Sequence, residues 1–214
     1  MHNPRLMHDI HSKARPLPLD PKSLELWARF RQGDREAFGS IYRQHIDGLF
    51  HYGMHFCRDE ERVKDCLQDL FRDMWAERQH ISSEVRNIKY YLLSSLRRRL
   101  LRSLQNDRRY PVRFPGTTFD FELIPPRETV IILDELYQER VAQLHQAIAL
   151  LSRRQREVIY LRFFQNLSYG DVAELMSMQV DSVYNLVSKA IGLLKKTFLL
   201  TLLFLPMISF LVKK

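Results

Sequence analysis

The stretch RRQREVIYLRFFQNLSYGDVAELMSMQVDSVYNLVSKAIG, residues 153–192, decides the fold. A first helix is expected over about Arg153–Phe164, with Val158, Ile159 and Leu161 apolar. Asn166-Leu167-Ser168 breaks it, and Ser168 is placed to cap a short helix over about Tyr169–Met176, whose Val172, Ala173, Leu175 and Met176 turn inward. Ser177-Met178-Gln179 makes a tight turn. Beyond it Val180, Val183, Val187, Ala190, Ile191 and Leu194 form a single apolar stripe along a longer helix. A short helix, a three-residue turn and a longer helix packed across it make the helix-turn-helix unit. In that unit the second helix enters the major groove of DNA. Its outward face here offers Asp181, Ser182, Tyr184, Asn185, Ser188 and Lys189. Asparagine bonds adenine edges in two places, serine reads either partner and lysine favours guanine or phosphate. An ordinary three-helix bundle with a polar outer face is the competing reading; the short middle helix and the small Ala173 weigh against it.

Toward the N-terminus the character of the chain changes. Residues 105–128 hold Pro111, Pro115, Gly116, Pro125 and Pro126, which forbid a continuous helix. A linker is therefore expected over 106–134, with the trailing domain at 135–197. From Lys22 to about Gln105 helical spacing returns. Leu24, Trp27 and Phe30 are followed by Phe38, Ile41, Tyr42, Ile46 and Leu49. Asp34, after Gly33, is a reasonable N-cap. A third helix carries Val63, Cys66, Leu67, Leu70, Phe71, Met74 and Trp75 on one face. A fourth, from about Asn87 to Leu104, turns Ile88, Tyr91, Leu92, Leu96 and Leu100 inward. No stretch alternates with period two for long enough to be a strand. The expected fold is all-α: a flexible N-terminal arm at 1–21, a helical domain at 22–105, the flexible linker, and a C-terminal helix-turn-helix domain.

Charge narrows the function. The 214 residues carry a formal charge of +8, and residues 86–113 alone carry that much, with nine basic side chains against Asp107. Such a concentrated cationic stretch attracts polyanions, either nucleic acid or an anionic membrane surface. The dominance of arginine favours phosphate, which the guanidinium fork grips in two places. A solvated helix face with a basic loop is the structural alternative. Two cysteines, Cys57 and Cys66, make neither a disulfide framework nor a four-thiolate zinc site, and fit a reducing cytoplasm. The polar, proline-containing first 21 residues do not read as a signal peptide. His51 and His55 have chelating i, i+4 spacing but no third ligand nearby, so no metal is expected. With no nucleophile elbow, phosphate loop or paired carboxylates, the chain does not read as an enzyme, and no cofactor is expected.

With these features assembled, the chain resembles a bacterial sigma-70 family factor of the extracytoplasmic-function group. The run Asp65-Cys66-Leu67-Gln68-Asp69-Leu70-Phe71, followed by Met74-Trp75, is similar to the signature of that family's second region. Leu150–Val158 resembles the start of its fourth region, and Leu167–Met176 resembles its helix-turn-helix run. The resemblance implies that Asp65, Gln68, Asp69, Phe71 and Trp75 bind the clamp helices of the largest subunit of core RNA polymerase. It implies that the fourth helix and the loop before it meet the −10 promoter element. Arg86, Lys89, Arg97, Arg98, Arg99 and Arg102 would hold phosphates there, while Tyr90 stacks an extruded base. Tyr91 fits the apolar stripe and is expected in the core. The trailing helix-turn-helix would bind the −35 element, and an anti-sigma factor is a further expected partner.

The departures from the family pattern point to a divergent, Bacteroidetes-like subgroup. Tyr184 and Leu186 are uncharged where basic residues are frequent, Arg98 stands where asparagine is common, and Ser177 takes the place of a turn glycine. Residues 198–212 are almost wholly apolar, with Lys195 and Lys196 before them and Lys213 and Lys214 after. Fifteen residues with Pro206 inside fall short of the roughly 20 that span a bilayer. Packing onto the protein or a partner is preferred for this tail over a disordered end or membrane-surface contact. Two other functions stay open: a helix-turn-helix transcriptional regulator with an N-terminal interaction domain, and a membrane-surface interaction protein.

Overall fold

A computed structural model describes residues 21–83, 85, 87–106 and 146–211, the side chains of 106 and 197–211 excepted. Every regular element among the described residues is helical. The arm residues 1–20, the expected linker from 107 onward, and residues 135–145 lie outside the described residues.

The leading four helices are set by local signals. Helix α1 (Pro21–Arg31) ends at Gly33, whose φ of 91° lies in the left-handed region that favours glycine. Asp34 then caps α2 (Arg35–Phe56), accepting from the backbone N–H groups of Glu36 and Ala37 at 2.8 and 3.1 Å. The Ala37 amide and Arg29, 2.7 Å away through its Nε, hold the Asp34 carboxyl below its ordinary range. Asp59 caps α3 (Glu60–Ala76) through the Arg62 amide. Helix α4 (Ile88–Asn106) packs against both α2 and α3. Their apolar faces meet in a core of Trp27, Phe30, Ile41, Leu70, Leu92 and Leu96, all buried. Trp27 also donates from Nε1 to the Ser82 carbonyl at 3.1 Å, tying α1 to the loop before α4.

The trailing helices begin at Ser152, which forms a capping box with Gln155 at the start of α5 (Arg153–Ile159). The expected plain helix to Phe164 is corrected here. The chain widens into a π-helical turn over Tyr160–Phe164, closed by the Gln165 amide donating to the Tyr160 carbonyl at 3.0 Å. Asn166 follows with φ of 54° and breaks the helix where expected. Ser168 and Asp171 form a second capping box on α6 (Tyr169–Met176). Ser177 makes the turn in the left-handed conformation, φ 55°. Helix α7 (Val180–Leu211) then runs unbroken past residue 197, through the apolar stretch and Pro206. Its stripe is inward at Val183, Val187 and Ala190, but Val180, in the first turn, is 42% exposed.

The two halves touch. Helix α4 packs on α6, and the buried apolar residues of both halves join in one cluster.

Candidate partner and nucleic-acid interface

On α3 the residues expected to bind polymerase divide by depth. Asp65 and Gln68 are exposed and Asp69 is half-exposed, with Arg72 bridging Asp69 at 2.7 Å and Asp73 at 3.3 Å. Phe71 is 6% exposed, so most of its ring belongs to the core. It meets Tyr42 edge-on at 4.8 Å and Phe38 at 6.1 Å. Trp75 is half-buried beneath the Arg78 guanidinium, 4.7 Å from its ring. The edges of Phe71 and Trp75 surface as the floor of a groove of about 640 Å³ between α2 and α3, rimmed by Asp47, Lys64, Gln68 and Arg72. An apolar floor with a charged rim suits an amphipathic helix.

The basic cluster on α4 is split. Arg98 and Arg102 are exposed, and Arg98 donates along its own helix, at Ser94 and Ser95. Arg99 turns to Asp73 at 3.1 Å. Arg97 points to the other half, where its Nε donates to Glu157 Oε1 at 3.0 Å. Burial works to lower the Arg97 guanidinium, but Glu157 and Tyr52 outweigh it and raise it above its ordinary value. Lys89 Nζ reaches the Gln165 carbonyl at 3.4 Å. Burial, and then the Glu174 carboxylate on α6, push the Tyr90 phenol up to about 12. Tyr91, expected in the core, is half-buried and packs against it, edge-on to Trp27 at 5.4 Å. Arg86 lies outside the described residues.

On α7, Asp181, Ser182, Asn185, Ser188 and Lys189 all face solvent. Tyr184 is half-buried, its ring stacked on Tyr169 at 4.0 Å with 18° between planes. That contact joins the two helices of the helix-turn-helix, so Tyr184 is partly structural. His55, the second histidine of the i, i+4 pair, is buried edge-on against Tyr160 at 4.7 Å. Burial pushes both the Cys57 and Cys66 thiols up. No helix among the described residues is long and apolar enough to cross a membrane.

Four residues that organise this region were not assigned a role from the sequence: Tyr52, Glu157, Tyr160 and Gln165. Glu157 did carry a signal. It neighbours Val158 and precedes Leu161 by one turn, so it is a carboxylate on the inward face of α5 and requires a buried donor.

The family model for sigma-70 region 4 matches residues 142–194. Along most of its length the chain is similar to the ECF RNA polymerase sigma factor SigX of Bacillus subtilis, 24% identical over 75% of this chain and 83% of the relative. It is also similar to the ECF RNA polymerase sigma factor BldN of Streptomyces coelicolor, 23% identical over 82% of this chain and 65% of that one. Two solved structures share the fold. One is CnrH in complex with the cytosolic domain of CnrY, with TM-score 0.54 and 18% identity, covering 82% of this chain and 96% of that one. The other is the sigma factor RpoE of Bartonella quintana in complex with the anti-sigma factor NepR, with TM-score 0.54 and 21% identity, covering 75% and 96%. The region 4 match over the helix-turn-helix, the likeness to two extracytoplasmic-function factors along most of the chain and the shared helical fold all agree with the resemblance read from the sequence.

Proposed function

We propose that the two domains divide the work of promoter recognition. The leading domain, 22–105, binds core RNA polymerase with the α3 strip of Asp65, Gln68 and Asp69 and the groove floored by Phe71 and Trp75. The partner is the pair of clamp helices of the largest subunit. Helix α4 takes the −10 element, with Arg98 and Arg102 as phosphate anchors and Lys89, Tyr90, Arg97 and Arg99 joining them when released from their present contacts. The trailing domain, 135–197, reads the −35 element with Asp181, Ser182, Asn185, Ser188 and Lys189 of α7.

The observation that carries the reading is the match of exposure to role. The second helix of the helix-turn-helix offers its polar face to solvent, and Asp65 and Gln68 are exposed on the leading half, where Gln68 lines an apolar groove. The uncharged Tyr184 and the Ser177 turn support a Bacteroidetes-like subgroup. The protein acts in the cytoplasm, without enzymatic chemistry of its own. Two solved relatives of its fold are held by partners, one of them an anti-sigma factor, and we assign this chain an anti-sigma partner as well.

Co-purification with core RNA polymerase tests the polymerase assignment. Gln68→Ala combined with Asp65→Ala is expected to reduce recovery at least about tenfold with helix content unchanged, since both side chains are exposed. Undiminished recovery overturns it.

A further inference from the structure

Glu157 is 2% exposed and sits on α5, yet both of its hydrogen-bond donors belong to the leading half. The same oxygen, Oε1, accepts from the Tyr52 hydroxyl on α2 and from Arg97 Nε on α4, each at 3.0 Å. The surroundings are aromatic. Tyr52 stacks on Tyr160 at 6.1 Å, and the Arg97 and Arg153 guanidinium groups lie over Phe56 at 5.7 and 5.3 Å. A short distance along the seam, Lys89 donates to the Gln165 carbonyl while the Gln165 amide donates to the Tyr160 hydroxyl at 2.9 Å.

A helix that needed only to fold would place an apolar side chain at such a site, because a carboxylate taken out of water is costly unless fully paired. Here both hydrogen bonds cross the seam between the halves, while Arg153 of the same helix lies alongside. It also falls on particular partners. Arg97, Lys89 and Tyr90 are the α4 side chains that turn to the trailing half, whereas Arg98, Arg102 and the outward face of α7 remain in solvent.

We propose that Glu157 is an intramolecular latch: its carboxylate takes the place of a DNA phosphate at Arg97, holds the two halves closed, and masks the Lys89, Tyr90 and Arg97 side of the −10 surface while leaving the −35 helix free. The proposal rests on the assignment of α4 to the −10 element. The latch can open because a buried ion pair lies close to break-even. On opening, Glu157 regains its water, and a phosphate offers Arg97 a charge-assisted fork in exchange. Single-stranded nucleic acid that binds only the open form draws the population toward it by mass action.

The full-length protein tests this with nitroxide labels on Glu36→Cys and Gln179→Cys, two exposed positions in opposite halves, read by double electron–electron resonance. The unmodified pair is expected to give one narrow distance, and Glu157→Gln a broad distribution with a longer mean. Tyr52→Phe, which keeps the carboxylate and removes one donor from the other half, is expected to broaden the distribution as well, and far-ultraviolet circular dichroism confirms that each variant is folded. A narrow, unchanged distance in both variants overturns the latch. A fluorescent single-stranded oligothymidylate then reads the masking. Glu157→Gln is expected to bind it at least about tenfold more tightly, with the gain abolished by Arg97→Ala in the same background. Opening without that gain overturns the masking and the DNA role of Arg97, and leaves the distance result to stand for the latch alone. Affinity for a random-sequence duplex, taken up by the exposed α7 face, is expected to be equal in the two proteins, and an equal rise for duplex and single strand contradicts selective masking.

Discussion

Asp73 Oδ2 and Arg99 Nη1 meet at 3.1 Å across the α3–α4 packing, so the helix assigned to polymerase and the helix assigned to DNA are joined by one ion pair. Both side chains are about one-third exposed, 36% and 30%, and Asp73 is shared with Arg72. Solvent screening limits such a pair to about 0.2–1 kcal/mol. Asp73→Asn is expected to lower stability in urea unfolding by no more than that, with Arg99 released for phosphate. A loss well above about 1 kcal/mol contradicts the view that this pair is a surface contact.

At Gly53 α2 and α3 pack closely. A Cβ there would meet Val63 Cγ1 at 2.5 Å and Cγ2 at 3.2 Å. Val63 is fully buried and β-branched, so it has little freedom to move aside. Gly53→Ala is expected to destabilise by about 1–3 kcal/mol despite the better helix propensity of alanine. The cost is expected to shrink in a Val63→Ala background, measured as a double-mutant cycle. Additive effects contradict the clash.

The turn of the helix-turn-helix carries strain. Ser177 holds φ of 55° where a glycine would sit without a steric cost. Ser177→Gly is expected to stabilise the chain by about 0.5–1 kcal/mol, the strain relieved being partly offset by the greater freedom of an unfolded glycine. A fall in the thermal midpoint contradicts this.

His45 lies near the seam, beside Lys89, Gly48 and Gln165 in a small recess. Burial, and then the Lys89 ammonium, lower its pKa below the ordinary 6.5. The folded chain therefore favours the neutral imidazole. Well above pH 6.5 neither state binds the proton and nothing is lost, and as the pH falls through 6.5 toward the lower folded value the unfolded chain gains protons first. Stability is expected to fall as the pH drops below the ordinary value of 6.5, and His45→Asn is expected to flatten that part of the curve. An unchanged pH profile in the variant contradicts the assignment.

What the sequence disclosed was what is local. Ser168 and Asp34 cap where their spacing says they cap, because a side-chain oxygen three residues from an N–H needs no distant partner. Tyr91 packs half-buried against the core because it shares a stripe with Ile88, Leu92 and Leu96, all of them core residues. Tertiary pairing decided the rest. Tyr184 was legible as a groove-facing residue from its helix position, but its ring lies on Tyr169, across the turn. Arg97 was legible as a phosphate ligand among other arginines, and its partner Glu157 lies 60 positions away on an inward face that charge counting cannot see. Phe71 belongs to both descriptions, because its ring is core and its edge is the floor of a groove.

The central claim is that this chain confers promoter-directed initiation on core RNA polymerase. The most direct test mixes the purified chain with bacterial core polymerase and fragmented genomic DNA, and sequences the 5′ ends of the run-off transcripts. The expected result is a set of discrete start sites that share paired upstream elements, absent with core enzyme alone. Those starts should be lost with Asp65→Ala plus Gln68→Ala, and redistributed with Asn185→Ala. Transcripts that begin at the same scattered positions with and without the chain would contradict the account.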